Sequence, residues 1–120
     1  RAIELGVGPL VLELVYHDSL PALVAAADAF AFPSAKEGFG LAAMEALAAG
    51  VPLVVSDLPV FRELFSGAAR FASGPADLAA RLREALTRPC ANAQNAGQEL
   101  ARNYTWPAAA KRHLNFYRRI

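Results

Sequence analysis

Apolar positions fall in short runs, and the runs alternate in kind. Arg1 to Leu5 reads as the last turn of a helix, ended by Gly6 and Gly8 and kept from resuming by Pro9. Leu10 to Val15 is mostly valine and leucine, the pattern of a short buried strand, with Glu13 discordant in its middle. Asp18 or Ser19 is placed to cap a helix over Leu20 to Ala27, with Pro21 in the first turn, where a missing N–H costs little. Ala29 to Phe32 predicts a second strand, stopped by Pro33. After the loop Ser34 to Phe39, an alanine-rich helix is expected from Gly40 to Ala49, with Gly50 as terminator. Val51 to Ser56 is the clearest strand. Pro59 to Phe65 reads as a short helix and Ala69 to Ala72 as a weak strand. Pro75 to Thr87 is an amphipathic helix with Leu78, Leu82 and Leu86 on one stripe, broken by Pro89. Two helices follow, Ala91 to Asn103 and Trp106 to Arg119, the second capped by Thr105.

Strands alternating with helices imply parallel βαβ units, because parallel neighbours need a crossover and a helix supplies it. The expected fold class is therefore α/β. With 120 residues, one core is the working assumption, and 55% apolar against 19% charged residues is the composition of a packed chain rather than a disordered one. Twelve basic and eleven acidic residues leave +1, so no overall field draws the chain onto nucleic acid or a membrane. Cys90 is the lone cysteine, which excludes an internal disulfide and suits a reducing cytosol, and no charged, apolar leader is visible. A cytoplasmic protein is the expectation. The longest mostly apolar stretch, Leu20 to Phe32, is interrupted by Asp28 and falls short of a membrane span.

The sharpest chemical feature is Glu37-Gly38-Phe39-Gly40-Leu41 followed by Glu45, between a strand and the helix leading to the next strand. In an open α/β sheet, ligands sit beyond the carboxyl ends of the strands, which is where this loop falls. Gly38 and Gly40 let a ligand approach the backbone, and the free amides of Gly40, Leu41 and Ala42 favour an anion such as a pyrophosphate. Glu45 lies roughly 7 Å further along the helix axis, too far to repel that anion directly and well suited to accept hydrogen bonds from paired ribose hydroxyls. Glu37 is suited to sugar hydroxyls. The two acids are thus expected to flank one seat. The plain alternative is that they are solvated carboxylates and that the glycines only shape a turn.

The stretch "LPALVAAADAFAFPSAKEGFGLAAMEALAAGVPLVVSDLPVFRE", Leu20 to Glu63, resembles the C-terminal domain of group 1 glycosyltransferases, retaining GT-B-fold enzymes that use nucleotide-sugar donors. Their hallmark is two glutamates separated by seven residues, matched by Glu37 and Glu45. Pro33-Ser34, Gly38-Phe39-Gly40-Leu41, Ala49-Gly50-Val51-Pro52 and Ser56-Asp57 also fall where the family has them, and Tyr104-Thr105-Trp106 is similar to its last helices. The resemblance implies that Glu37, the candidate catalytic residue, contacts the donor sugar. It implies that Glu45 contacts the ribose, and that Gly38, Phe39, Gly40 and Leu41 line the sugar and diphosphate. It also implies that the acceptor hydroxyl attacks on the face the nucleotide leaves, with the departing phosphate helping to remove its proton. No metal or other cofactor is implied; the nucleotide-diphosphate sugar is a substrate, and the acceptor is not readable.

The same resemblance implies a partial Rossmann-like sheet of order 3-2-1-4-5-6, in which residues 10–15 and 29–32 supply the third and fourth strands. Exposed edges, or a direct pairing of those two strands, are then expected. Glu13 stands where the family has a glycine closing its third strand, which bears on the base contacts of that turn. The family's acceptor-binding N-terminal domain and the basic pair that steadies its diphosphate would precede this region, and Lys36 is not that pair. A chain beginning at Arg1 is therefore expected to bind donor weakly and to catalyse nothing alone. The rival reading is a non-catalytic nucleotide or sugar-phosphate binding module; a nucleotide-sugar epimerase of related fold suits the glutamate pair less well.

Lesser candidates have bland readings beside them. His17 is either a turn histidine or a nucleotide contact, His113 a surface residue, and Cys90 an inert thiol. Ser34 and Ser56 either cap or line the mouth or are plain loop serines. Asp57 and Glu63 resemble family positions near the donor, yet Glu63 beside Arg62 also suits a helix surface. Lys111, Arg112, Arg118 and Arg119, with Trp106, Leu114, Phe116 and Tyr117, suit a solvated helix packed on protein or a peripheral contact with an anionic membrane surface.

Overall fold

The structure is a computed structural model that describes residues 3–8 and 17–120. Among these, β1 (Phe30–Phe32), β2 (Leu53–Ser56) and β3 (Ala69–Ala72) form a parallel sheet in the order β1-β2-β3. Phe30 lies opposite Leu53, and Val55 opposite both Phe32 and Phe71. The flanking helices are α1 (Leu20–Ala25), α2 (Leu41–Ala48), α3 (Pro59–Phe65), α4 (Pro75–Thr87), α5 (Ala91–Asn103) and α6 (Trp106–Tyr117). The expected α/β class with a parallel sheet is observed. The strand expected over residues 10–15, Glu13, and the pairing of that strand lie outside the described residues.

Central β2 is buried on both faces, which its run of Leu, Val and Val requires. Its side chains alternate between two cores. Leu53 and Val55 join Met44, Leu47, Phe61 and Phe65 on the face covered by α2 and α3, the two crossovers. Val54 points the other way, to Ala72 and Ala85 with Leu78 and Leu82 of α4. Phe61 and Phe65 are fully enclosed, and each such side chain stabilises the fold by about 1.5–3 kcal/mol relative to exposure.

α5 lies on α2, and the closeness has one cause. A Cβ at Gly97 would come within 2.6 Å of Leu47 Cδ2, so only a glycine lets the two helices meet there. Gln94 Nε2 also donates to the Gly50 carbonyl at 2.8 Å. The first turn of α5 thus sits at the end of α2, and its last residues come back toward the start of α2.

Several element ends differ from the sequence expectation. β2 begins at Leu53 rather than Val51, because the Val51 amide donates to the Ala46 carbonyl and Pro52 has no amide to offer. The Pro52 carbonyl instead accepts from Phe30 at 2.8 Å. Ser19 occupies the N-cap of α1 but makes no side-chain capping bond, because a 3-10 turn over His17–Ser19 runs straight into the helix and leaves Ser19 in helical backbone geometry. Asp18 lies inside that turn. Leu86 is 56% exposed, and the buried stripe of α4 is Leu78, Leu82 and Ala85. At 3.6 residues per turn, a seven-residue step returns to the same face and an eight-residue step overshoots it. Residues Ile3 to Gly6 form a turn, closed by a 3.0 Å bond from the Gly6 amide to the Ile3 carbonyl.

Candidate functional site

The segment between β1 and α2 leaves the carboxyl end of β1 at Pro33 and re-enters the core at Gly40. Gly40 is buried in the left-handed region, φ 86° and ψ 58°, and forms the N-cap of α2. A Cβ there would stand 3.0 Å from Phe61 Cε1 and 3.4 Å from Phe32 Cε1. Both the backbone angle and the two rings therefore demand glycine. Gly38, by contrast, faces open space: a Cβ there would meet nothing within 4 Å. The first of these glycines in the chain is available to a ligand and the second is a structural pivot.

The pivot decides how α2 begins. With glycine at the N-cap there is no side-chain cap, and the Met44 amide is the first to find its i−4 carbonyl, that of Gly40, at 3.0 Å. The amides of Leu41, Ala42 and Ala43 precede that bond and carry the positive end of the helix dipole. No acidic residue occupies this first turn. Glu45 stands four residues after Leu41, hence on the same exposed face one turn along.

The other end of the loop is tied to the sheet. The Ser34 amide donates to Ser56 Oγ at 2.8 Å, and Ser34 Oγ donates to Glu37 Oε1 at 3.1 Å. Ser34 and Ser56 thus have structural partners, and both also line a hollow of about 280 Å³ at the carboxyl ends of the strands, closed by Ala72, Gly74, Pro75 and Leu78. Glu45 lines a different hollow of about 360 Å³ between α1 and α2, walled by Leu20, Pro21 and Val24. Glu37 and Glu45 share neither hollow. They are linked by the loop and the exposed start of α2 rather than by one enclosed cavity.

Asp57 follows β2 and forms a two-pronged ion pair with Arg62, at 2.6 and 2.8 Å. The hydrogen bond from Arg62 holds the Asp57 carboxyl below its ordinary value of 3.8. Arg62 also lies 4.1 Å above the Phe71 ring, so its partners are Asp57 and Phe71, while neighbouring Glu63 is simply exposed. His113 is exposed, with Nδ1 2.8 Å from the Ala109 carbonyl, and Cys90 is an exposed free thiol at the start of α5. The side chain of His17 lies outside the described residues.

Two residues that sequence reasoning did not connect to the loop reach it through space. Phe39 packs on Tyr104, ring centroids 5.2 Å apart, and Arg112 of α6 lies 5.1 Å from the centre of the Tyr104 ring. No local periodicity announces a contact between segments so distant in sequence. α6 itself has no fully buried residue and Trp106 is 88% exposed; with Ala108 and Ala109 half-buried and Arg112 reaching Tyr104, the expected packing of this helix on protein is met only in part among the described residues. No helix among the described residues is long and apolar enough to cross a membrane.

Residues 2–103 match the family model described as glycosyl transferases group 1. The chain belongs to that family. The match takes in the loop, both glutamates and α5, and ends just before Tyr104 and α6. Among curated relatives, a glycogen synthase of Mycobacterium tuberculosis is 38% identical over 108 residues, which is 84% of this chain and 26% of that protein. The O-antigen chain mannosyltransferase B of Escherichia coli is 33% identical over 114 residues, 89% of this chain and 29% of that protein. The chain therefore spans about a quarter of the length of these relatives. The solved sucrose-phosphate synthase of Thermosynechococcus elongatus superposes with a TM-score of 0.84 at 24% identity, covering 98% of this chain and 32% of that one. That likeness speaks to the fold, a GT-B Rossmann-like unit.

Proposed function

We propose that this glycosyl transferase chain binds the donor, a nucleoside diphosphate sugar, for retaining transfer to an acceptor held by another part of the protein. One observation carries the reading: Gly40, held in the left-handed region by Phe32 and Phe61, starts α2 without a side-chain cap or first-turn carboxylate at the carboxyl end of the sheet. Such a start offers amides and a positive dipole end to a diphosphate. An extended donor lies across it. Its ribose hydroxyls donate to Glu45 in the α1–α2 hollow, its diphosphate meets the amides of Leu41 and Ala42, and its sugar reaches Glu37 past open Gly38. Because the ligand is long, the two carboxylates serve its two ends and need no common cavity.

In the transfer, Glu37 contacts the sugar near the bond that breaks, and its carboxylate is already oriented by Ser34. The acceptor hydroxyl approaches on the face the diphosphate leaves, and the leaving phosphate oxygen takes its proton. The amides at the start of α2 stabilise the negative charge that accumulates on that phosphate. In this reading the acceptor site belongs to another part of the protein, and catalysis needs both.

Titration of the full-length protein with uridine, guanosine and adenosine diphosphates, beside Glu45→Ala, tests the reading. The variant is expected to bind about tenfold or more weakly, the loss of hydrogen bonds to a charged acceptor. Equal affinity in the two proteins removes the ribose assignment, and a wild-type protein that binds none of the three removes the donor reading.

A further inference from the structure

The loop that carries the proposed donor contacts is fixed at both ends but not by its own backbone in the middle. Its first anchor is the pair of Ser34 bonds and its last is Gly40 wedged between Phe32 and Phe61. Gly38 touches nothing within 4 Å of its missing side chain. Between these points Phe39 rests with one side against the α2–α3 core and has one aromatic partner, Tyr104, with centroids at 5.2 Å and rings inclined by 53°.

Tyr104 is itself braced. It terminates α5, where its amide donates to the Ala101 carbonyl at 3.1 Å. Arg112 covers its ring from α6 and also donates to the Asn103 carbonyl beside it. α5 is seated on α2 through the Gly97–Leu47 contact, so Tyr104 and the start of α2 belong to the same packed unit. Tyr104 is nevertheless 40% exposed and lies outside both cores, which makes its contribution to the stability of the whole small.

We infer that Tyr104 is a positioning residue of the donor site: resting on the donor reading above, it clamps Phe39 so that the backbone of Gly38 to Leu41 is preset for the diphosphate and sugar before either arrives. It touches no part of the donor itself. Phe39 also packs at the margin of the α2–α3 core, so removing the Tyr104 ring loosens Phe39 on one side and leaves more of the loop's ordering to the donor; affinity falls while the fold persists. Its hydroxyl plays no part in either contact, because both Phe39 and Arg112 meet the ring.

The test uses the intact protein with Tyr104→Ala and Tyr104→Phe, followed by amide hydrogen exchange over residues 35–41 and by titration with nucleoside diphosphate sugar. Tyr104→Ala is expected to speed exchange in the unliganded loop and to weaken binding by roughly threefold to tenfold, the range of one aromatic pair. Tyr104→Phe restores both, and exchange across β1, β2 and β3 stays unchanged. Unaltered loop exchange in Tyr104→Ala overturns the clamp, and faster exchange with unaltered affinity overturns its role in donor binding. Whether wild type binds any nucleoside diphosphate at all tests the donor reading separately, since the clamp is judged on the difference between variants and on exchange without ligand.

Discussion

α2 and α6 are held in opposite ways. α2 has no side-chain cap, yet four of its eight residues, Ala43, Met44, Ala46 and Leu47, are buried. α6 is properly begun, with Thr105 Oγ1 accepting from the Ala108 amide at 3.4 Å, yet buries none of its residues. A helix secured by its flank can leave its first amides to a ligand. A helix secured by its cap and by the reach of Arg112 to Tyr104 and Asn103 has its sequence-local needs met and its apolar side, Trp106, Leu114, Phe116 and Tyr117, uncovered among the described residues. The contrast separates what packing does for a helix from what capping does.

The most damaging way to break the contrast is at the entry to α2. Gly40→Ala combines a left-handed residue with a Cβ at 3.0 Å from a fully buried phenylalanine, and is expected to lower the unfolding free energy by about 2–4 kcal/mol in denaturant titration. Gly38→Ala, in the same loop and without those neighbours, should change it by less than about 0.5 kcal/mol. Equal effects would mean that the wedge between Phe32 and Phe61 does not set the start of α2.

At the entry to α6 the expected loss is smaller and stays local. Thr105→Ala should remove about 1 kcal/mol from the helix, seen as lower hydrogen-exchange protection in residues 106–112 with α2 unaffected. If protection in α2 fell as well, the two helices would be one cooperative unit and the comparison would lose its force.

α3 stands between these cases, with Phe61 and Phe65 buried and the Asp57–Arg62 pair at its exposed start. Because the folded-state carboxyl titrates below its ordinary value of 3.8, the pair contributes above that pH and its contribution fades as pH falls through the lowered value. Arg62→Met should bring the Asp57 carboxyl back up in an NMR titration and lower stability at neutral pH only slightly, because the pair is exposed. An unmoved Asp57 titration would show that Arg62 is not its partner in solution.

The sequence made legible those elements that punctuation brackets. The bounds of α3, β3, α4 and α5 fall where Pro59, Gly74-Pro75 and Pro89 place them. Ends decided by a single backbone bond were not legible, as at Val51, whose amide turns back to Ala46. The loop with Glu37, the two glycines and Glu45 was visible as a pattern, and its position beyond β1 follows the parallel order of the sheet. Invisible was which glycine is the pivot and which is open, because that depends on Phe61 arriving from α3. The Phe39–Tyr104 contact is of the same kind: it exists only once α5 has folded back along α2.

Gly97 has a consequence beyond its own contact. With Leu47 Cδ2 only 2.6 Å from where a side chain would begin, even one added carbon must displace the buried Leu47 side chain or shift α5 on α2. Because the far end of α5 bears on Phe39, a shift of α5 would act as a lever, its push at mid-helix arriving as a tilt of the loop that carries Glu37 and Gly38. A substitution remote from both glutamates would thus reach their loop from a distance.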